Sequence, residues 1–231
     1  MDWPVQMDHL SPAMAQEMEG VRRRLVGATD ALHPTVTEFV RTQEGTEPSL
    51  LALVILAAAF PPEDSASAGG RRVALAAALE LLYRGLDIHK LLVVPLQEDR
   101  TPDRSLVGGT VLAGDLCFSR AAALAAESES PEVVAIFARL LQRLSEAHLR
   151  RLFGHSADGF DEAQVLLHHG ILAGAVLAGL DGPGRTELAR QVSRWLTAAG
   201  PARVQWTLLP PYQRARWRAV FRGLPYLSEV A

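Results

Sequence analysis

Two apolar segments joined by a charged loop constrain this chain more than any other feature. Residues 78–94 read ALELLYRGLDIHKLLVV, residues 95–105 read PLQEDRTPDRS, and residues 106–126 read LVGGTVLAGDLCFSRAAALAA. Leu75, Leu79, Leu82, Leu86 and Leu91 keep helical spacing, which predicts a helix from Arg71-Arg72 to about Val94. Pro95 stops it. The second segment predicts a helix over 106–126 with Gly114-Asp115 in its middle. Glycine costs a helix interior about 1 kcal/mol against alanine. A carboxylate on an apolar helix needs a partner. Local propensity alone does not account for that pair.

The remainder of the chain is also helical in pattern. Hydrophobic residues make up 48% and aromatic residues 6%, with alanine and leucine prominent, which favours an all-α class. Ser11-Pro12 opens a helix to about Ala31 with Met14, Met18, Val21 and Leu25 on one face. His33-Pro34 opens a short second one carrying Val36, Phe39 and Val40. Ser49 to Phe60 reads as a buried helix, and Pro61 to Gly70 as a loop. Ser130-Pro131 opens a helix to about Phe153, with Val134, Phe137, Leu140, Leu141, Leu144 and Leu149 as its apolar residues. Further helices are expected from Phe160 to about Leu180 and from Gly182 to about Ala199. A last basic helix follows Pro210-Pro211, with Arg214, Arg216, Arg218 and Arg222. We read residues 1–231 as one helical domain.

Charge and cysteine content narrow the function classes. A formal net charge of −3 argues against nucleic-acid binding. Cys117 is the one cysteine, which excludes an internal disulfide and a cysteine-rich metal site. The longest apolar run, Leu50 to Phe60, is shorter than the roughly 20 residues that span a bilayer. Met1 to His9 carries Asp2 and Asp8 and lacks the apolar core of a signal peptide. The expectation is a soluble, cytoplasmic protein without a membrane span.

The central segments resemble those of the trans-isoprenyl diphosphate synthases, or polyprenyl synthetases. Glu80-Leu81-Leu82-Tyr83 and Ile88-His89 are similar to that family's first helix, E-L-L-H-x-x-S-L-I-H-D-D-x-x-D. Val111-Leu112-Ala113-Gly114-Asp115-Leu116 is similar to its A-V-L-A-G-D-x-L-L. Gly174-Ala175 fits a later G-A pair. The resemblance spans roughly residues 10 to 200 and implies a helical bundle of the isoprenoid synthase type, C-terminally shortened. In the similar synthases the helix matching 106–126 lies in a dimer interface. The resemblance thus implies that Gly109, Leu112, Ala113 and Leu116 help to form one here.

The motifs that carry the family's chemistry are absent. Lys90, Leu91 and Val94 stand where D-D-x-x-D would place its aspartates. An intact member holds Mg²⁺ there, because a leaving diphosphate needs hard-ligand cations and carboxylates one and four residues apart share a helix face. Asp87 is a turn early, and Glu98, Asp99 and Asp103 fall in the loop. Gly45-Thr46-Glu47-Pro48 replaces a G-G-K-R-x-R-P loop that binds diphosphate in the family. His168-His169 fall near the family's K-T pair, where one of them could act as a weak phosphate donor or simply pack. No aspartate follows Asp181, so the second aspartate-rich motif is missing too. No catalytic residue, metal site or cofactor is therefore assigned. Lys90, the chain's one lysine, has two readings. Its ammonium could hold a phosphate in place of a metal, together with Arg100 and Arg104 in the loop, or it could pair with a neighbouring acid. Asp115 is expected to cap or bond internally.

Three functions follow from this pattern. The first is a non-catalytic subunit related to these synthases, forming a dimer either with itself or with a catalytic isoprenyl diphosphate synthase. The second is an isoprenoid-binding protein. The third is a prenyltransferase-like enzyme with altered, metal-independent chemistry. Loss of both metal motifs with retention of the interface helix favours the first.

Overall fold

The computed structural model describes residues 10–30, 47–90, 104–153, 160–196 and 206–222. Eight α-helices run through them: α1 Pro12–Asp30, α2 Leu50–Ala58, α3 Ala66–Lys90, α4 Arg104–Ala126, α5 Pro131–Leu152, α6 Glu162–Leu177, α7 Gly182–Leu196 and α8 Arg214–Arg222. Two 3₁₀ turns, Trp206–Leu208 and Pro211–Gln213, precede α8. No strand occurs among the described residues, as the all-α expectation required. The helix expected after His33-Pro34 lies outside the described residues, as do Leu91–Val94, Arg100, His155 and the stretch 202–205.

The helix α2 sits at the centre. All nine of its residues are buried. A helix leaves its first N–H and last C=O groups without intrahelical partners, and water cannot reach these. Two side chains from distant positions take that role. At the N-terminus, Glu80 Oε1 accepts from Ser49 N and Ala52 N at 3.0 Å each and from Ser49 Oγ at 2.5 Å. Ser49 Oγ in turn accepts from Leu51 N. At the C-terminus, Gln213 Nε2 donates to Ala58 O at 2.8 Å and Phe60 O at 2.9 Å. Its Oε1 accepts from Trp217 Nε1. An accepting carboxyl oxygen at the positive end and an amide donor at the negative end also match the helix dipole.

Burial pushes the Glu80 carboxyl above the ordinary glutamate range, against the opposing pull of Arg84 and the Ser49 and Ala52 hydrogen bonds. Folding therefore favours the protonated acid, and the stability it contributes is lost as pH rises through the raised native value. The substitution Glu80→Gln keeps the accepting oxygen and cannot ionise. We expect the stability of the unsubstituted chain, relative to Glu80→Gln, to fall as pH is raised from about 4 to about 8. Thermal melts at matched ionic strength check this; a difference independent of pH would refute it.

Around α2 pack α1, α3, α6 and α8. The helix α1 offers Met14, Met18, Val21 and Leu25, all buried as their spacing predicted. The helix α3 begins at Ala66, five residues before the sequence expectation of Arg71. Ser65 caps it, accepting from Ala68 N at 3.1 Å and from Gly69 N through its carbonyl. The Ser- and Gly-rich stretch that reads as loop is thus a capped first turn. The helix α6 ends at Leu177 because Gly179 turns to φ 75°, and Leu180 N then donates back to Ala175 O.

Gly170 and Gly174 let α6 lie close to α2. A Cβ at Gly170 would come within 2.6 Å of Ile55 Cδ1, and one at Gly174 within 3.1 Å of the Ala59 backbone nitrogen.

The helices α3 and α4 run antiparallel, as expected from the break between them. Gly85 lies against Cys117 and Phe118, and His89 against Gly114. Two departures concern apolar residues that stay outside. On α4, Val107, Val111 and Leu112 are exposed, and on α5 Val134 and Leu149 are exposed. By length and composition alone, Val107–Ala126 is apolar enough to cross a membrane, which the sequence reading did not single out. Asp115 and Arg120 interrupt it, and Ala113, Cys117 and Ala121 are packed into the bundle core.

Candidate functional site

The C-terminal end of α3 meets α4 and α6, and a chain of four charged or titratable side chains runs from it through Glu162 to α5. Lys90 Nζ lies 2.6 Å from Asp87 Oδ1 and 3.2 Å from Glu162 Oε2. Glu162, the first residue of α6, also faces His148 of α5, with 3.1 Å between Oε1 and Nε2. Lys90 Nζ is 5.9 Å from the Tyr83 ring centroid. The spacing Asp87 to Lys90 is one helical turn, which brings the two onto one face. Asp161 places Glu162 by capping α6, accepting from Ala163 N and Gln164 N.

Partial burial pulls the Lys90 ammonium down. The hydrogen bond and charge of Asp87, followed by those of Glu162, outweigh that and hold it above the ordinary lysine range. The lysine stays a cation, and two carboxylates hold it.

Beside this cluster sits the Gly114-Asp115 pair. A Cβ at position 114 would lie 2.1 Å from His89 Nε2, so glycine is what lets the imidazole lie over α4. His89 Nε2 is 3.3 Å from Val111 O and 3.5 Å from Asp115 Oδ1, and its ring meets Phe118 edge-on at 5.0 Å. Asp115 caps no helix among the described residues and instead has His89 as its internal neighbour. It projects from the middle of α4 with 62% of its side chain exposed.

We expect Gly114→Ala to lower stability by about 1–2 kcal/mol, the overpacking cost exceeding the roughly 1 kcal/mol gain in helix propensity. In a His89→Ala background the same substitution should become stabilising, because only the propensity gain remains. Urea unfolding of the four proteins in the cycle tests it; a same-sign effect in both backgrounds would refute the steric account.

The other residues singled out in the sequence scatter. Arg100, Glu98, Asp99 and Asp103 lie outside the described residues. Arg104 begins α4. Glu47 is exposed, and its carbonyl accepts from Arg84 Nη2 at 2.8 Å. His168 and His169 stand away from Lys90, in a cleft toward α7. Among the proposed interface residues, Leu112 is 66% exposed, Leu116 is half-buried and Gly109 has open space where a Cβ would project. Ala113 is a correction: its side chain is fully buried inside the core of the chain and leaves nothing for a partner to meet. Sequence reasoning missed Glu162 as a partner of Lys90 and His148 as a partner of Glu162. They come from other helices, and no sequence spacing joins them to position 90.

No family model matches the sequence, and no curated protein matches it. Solved structures do. A polyprenyl synthase from Caulobacter crescentus, complexed with calcium and isoprenyl diphosphate, superposes with a TM-score of 0.62 at 23% identity, over 82% of this chain and 61% of that one. A decaprenyl diphosphate synthase from Rhodobacter capsulatus gives 0.62 at 19%, over 78% and 61%. The geranyl diphosphate synthase small subunit from Antirrhinum majus gives 0.55 at 18%, over 94% of both chains. This chain thus spans about three fifths of the length of the two synthases and nearly all of the small subunit. The bundle built around α2, with α3 and α4 antiparallel across it, has the all-α fold of the trans-isoprenyl diphosphate synthases.

Proposed function

We propose that this chain is a non-catalytic subunit that pairs with a catalytic isoprenyl diphosphate synthase in isoprenoid biosynthesis. The observation that carries this reading is the apolar surface on the hairpin of α4 and α5. Val107, Val111, Leu112, Val134 and Leu149 are each more than a third exposed there. Large apolar side chains left outside on one two-helix element suit a surface that a partner covers. The likeness over 94% of a chain named as a small subunit supports the same reading.

The charge pattern at the end of α3 agrees with it. Magnesium takes hard oxygen ligands, and its carboxylates must be free of competing cations. Here Asp87 and Glu162 already share the Lys90 ammonium at 2.6 and 3.2 Å. A divalent ion placed between them would sit against a fixed positive charge. The donor set does not suit Mg²⁺, and we derive no step through it.

The test is co-expression with the intact prenyl synthase of the same organism, followed by size-exclusion and product analysis. The expected result is co-elution and a changed product length or yield. Alone, the chain should not condense isopentenyl diphosphate with an allylic diphosphate in Mg²⁺. Turnover abolished by EDTA would overturn the non-catalytic reading, and elution as two independent species with unchanged products would overturn the pairing.

A further inference from the structure

A second charged feature lies on another side of the bundle, between α5, α6 and α7. A cleft of about 370 Å³ is lined by Arg143 of α5, His168 and His169 of α6, and Arg190 and Arg194 of α7. Gln164 and Ser193 add polar atoms, and Val165 completes the lining. No acidic side chain is among these described residues. Arg190 is held by Glu187, which accepts from its Nε at 3.0 Å and Nη2 at 2.7 Å. No carboxylate pairs with Arg143 or Arg194 among the described residues. Arg143 and Arg194 line the same cleft without a carboxylate partner, beside the Glu187-paired Arg190, and a polyvalent anion would offset that positive charge.

The histidines are set to respond to such an anion. His169 is buried, and its Nδ1 lies 2.8 Å from Val165 O. A carbonyl can only accept, so Nδ1 carries the proton and Nε2 of the neutral ring is left as an acceptor. Nε2 can donate to an anion only after the ring takes up a second proton. The His168 ring meets that of His169 edge-on at 5.6 Å. Burial, followed by the Arg143 charge, holds His168 below the ordinary histidine range. Burial does the same to His169 against the Val165 hydrogen bond, with His168, Arg143 and Arg139 adding to it. Facing the pair are Arg139 and Arg143 from α5 and Arg190 and Arg194 from α7, while α2 presents Ile55 and Ala58, and α3 presents Leu79, to the other side of α6.

We propose that the juxtaposition of Arg143, Arg190 and Arg194 with His168 and His169 is a binding site for a phosphate-type oxyanion. Guanidinium forks suit the phosphate oxygens. Binding favours the imidazolium form, so the anion is taken up with protons and its affinity rises as pH falls from about 7.5 to about 5.5. The site is separate from the Lys90 cluster and does not depend on the pairing proposed above. The anion is either free in solution or the headgroup of a lipid.

The experiment follows the imidazole resonances of His168 and His169 in the full chain by NMR, across pH, with inorganic diphosphate as the probe. Sodium chloride at matched ionic strength is the control. The expected result is a rise in both histidine pKa values with diphosphate and not with chloride. Arg143→Gln and Arg194→Gln, both at exposed positions, should each weaken binding about tenfold or more. A second arm uses phosphatidylcholine vesicles with and without phosphatidic acid. A response to diphosphate assigns the site to a free anion, and a response to phosphatidic acid vesicles alone assigns it to a lipid headgroup. No response in either arm, or an affinity unchanged in the double variant R143Q/R194Q, overturns the proposal. All of this is measured on the chain by itself, so it fails or stands separately from assembly.

Discussion

Glu17→Ala should lower the stability of the isolated chain by about 3–5 kcal/mol. Glu17 belongs to α1, yet it joins that helix to both α3 and α8. Its Oε1 accepts from Arg72 Nε at 2.8 Å and from Arg216 Nη2 at 3.0 Å, and each arginine donates a further, shorter bond to the same carboxylate. Arg72 also donates to Asp64, at 2.6 and 2.9 Å. Both guanidinium groups lie over the Phe60 ring, at 5.3 and 4.0 Å from its centroid. The side chains are nearly sealed: Arg72 is 4% exposed, Arg216 9% and Glu17 10%.

Burial works to lower Arg72, but Asp64 and Glu17 together hold it above the ordinary arginine range, and Arg72 holds Asp64 below the carboxylate range. Removing Glu17 leaves two buried cations with a single partly exposed carboxylate between them. The cost is that of uncompensated charge, not of one lost contact. Replacing Glu17, Arg72 and Arg216 together by methionine should recover most of the loss, because no buried charge is then left unpaired. Urea unfolding followed by circular dichroism decides it. A shift under about 1 kcal/mol for Glu17→Ala would place the network among weak surface pairs.

This network shows where the sequence was legible and where it was not. The core faces of α1 and α3 followed from spacing, because burial repeats with the helical turn. Arg72 and Arg216 did not. The first read as part of a helix start and the second as one member of a basic helix, since nothing local distinguishes a buried arginine from a solvated one. Their partner is more than fifty residues away in each case, with separations of 55 and 199. Glu80 and Gln213 were missed for the same reason: each caps a helix to which it does not belong. Gly114-Asp115 was flagged correctly as a position that propensity cannot explain, but its cause, the His89 ring, sits on another helix. Lys90 had two open readings, and the geometry gives it two carboxylate neighbours, one of them from α6.

The assembly prediction rests on the same distinction between what a helix buries within the chain and what it leaves outside. Leu112 is 66% exposed, so Leu112→Glu should change the stability of the isolated chain by no more than about 0.5 kcal/mol. If α4 and α5 meet a partner, the same carboxylate is buried there without a counter-charge, and such burial costs several kcal/mol. A self-assembly related by a two-fold axis carries the change twice. We therefore expect Leu112→Glu to weaken assembly at least about a hundredfold, leaving a folded monomer of 25.0 kDa at micromolar concentration. Ala113→Glu is the contrasting variant. Ala113 is fully buried, so that substitution should unfold the chain rather than dissociate it. Light scattering and thermal melts on both variants separate the two effects. A monodisperse 25.0 kDa species for the unsubstituted chain, both alone and mixed with the intact synthase, would leave Leu112 with nothing to cover it and would end the subunit reading.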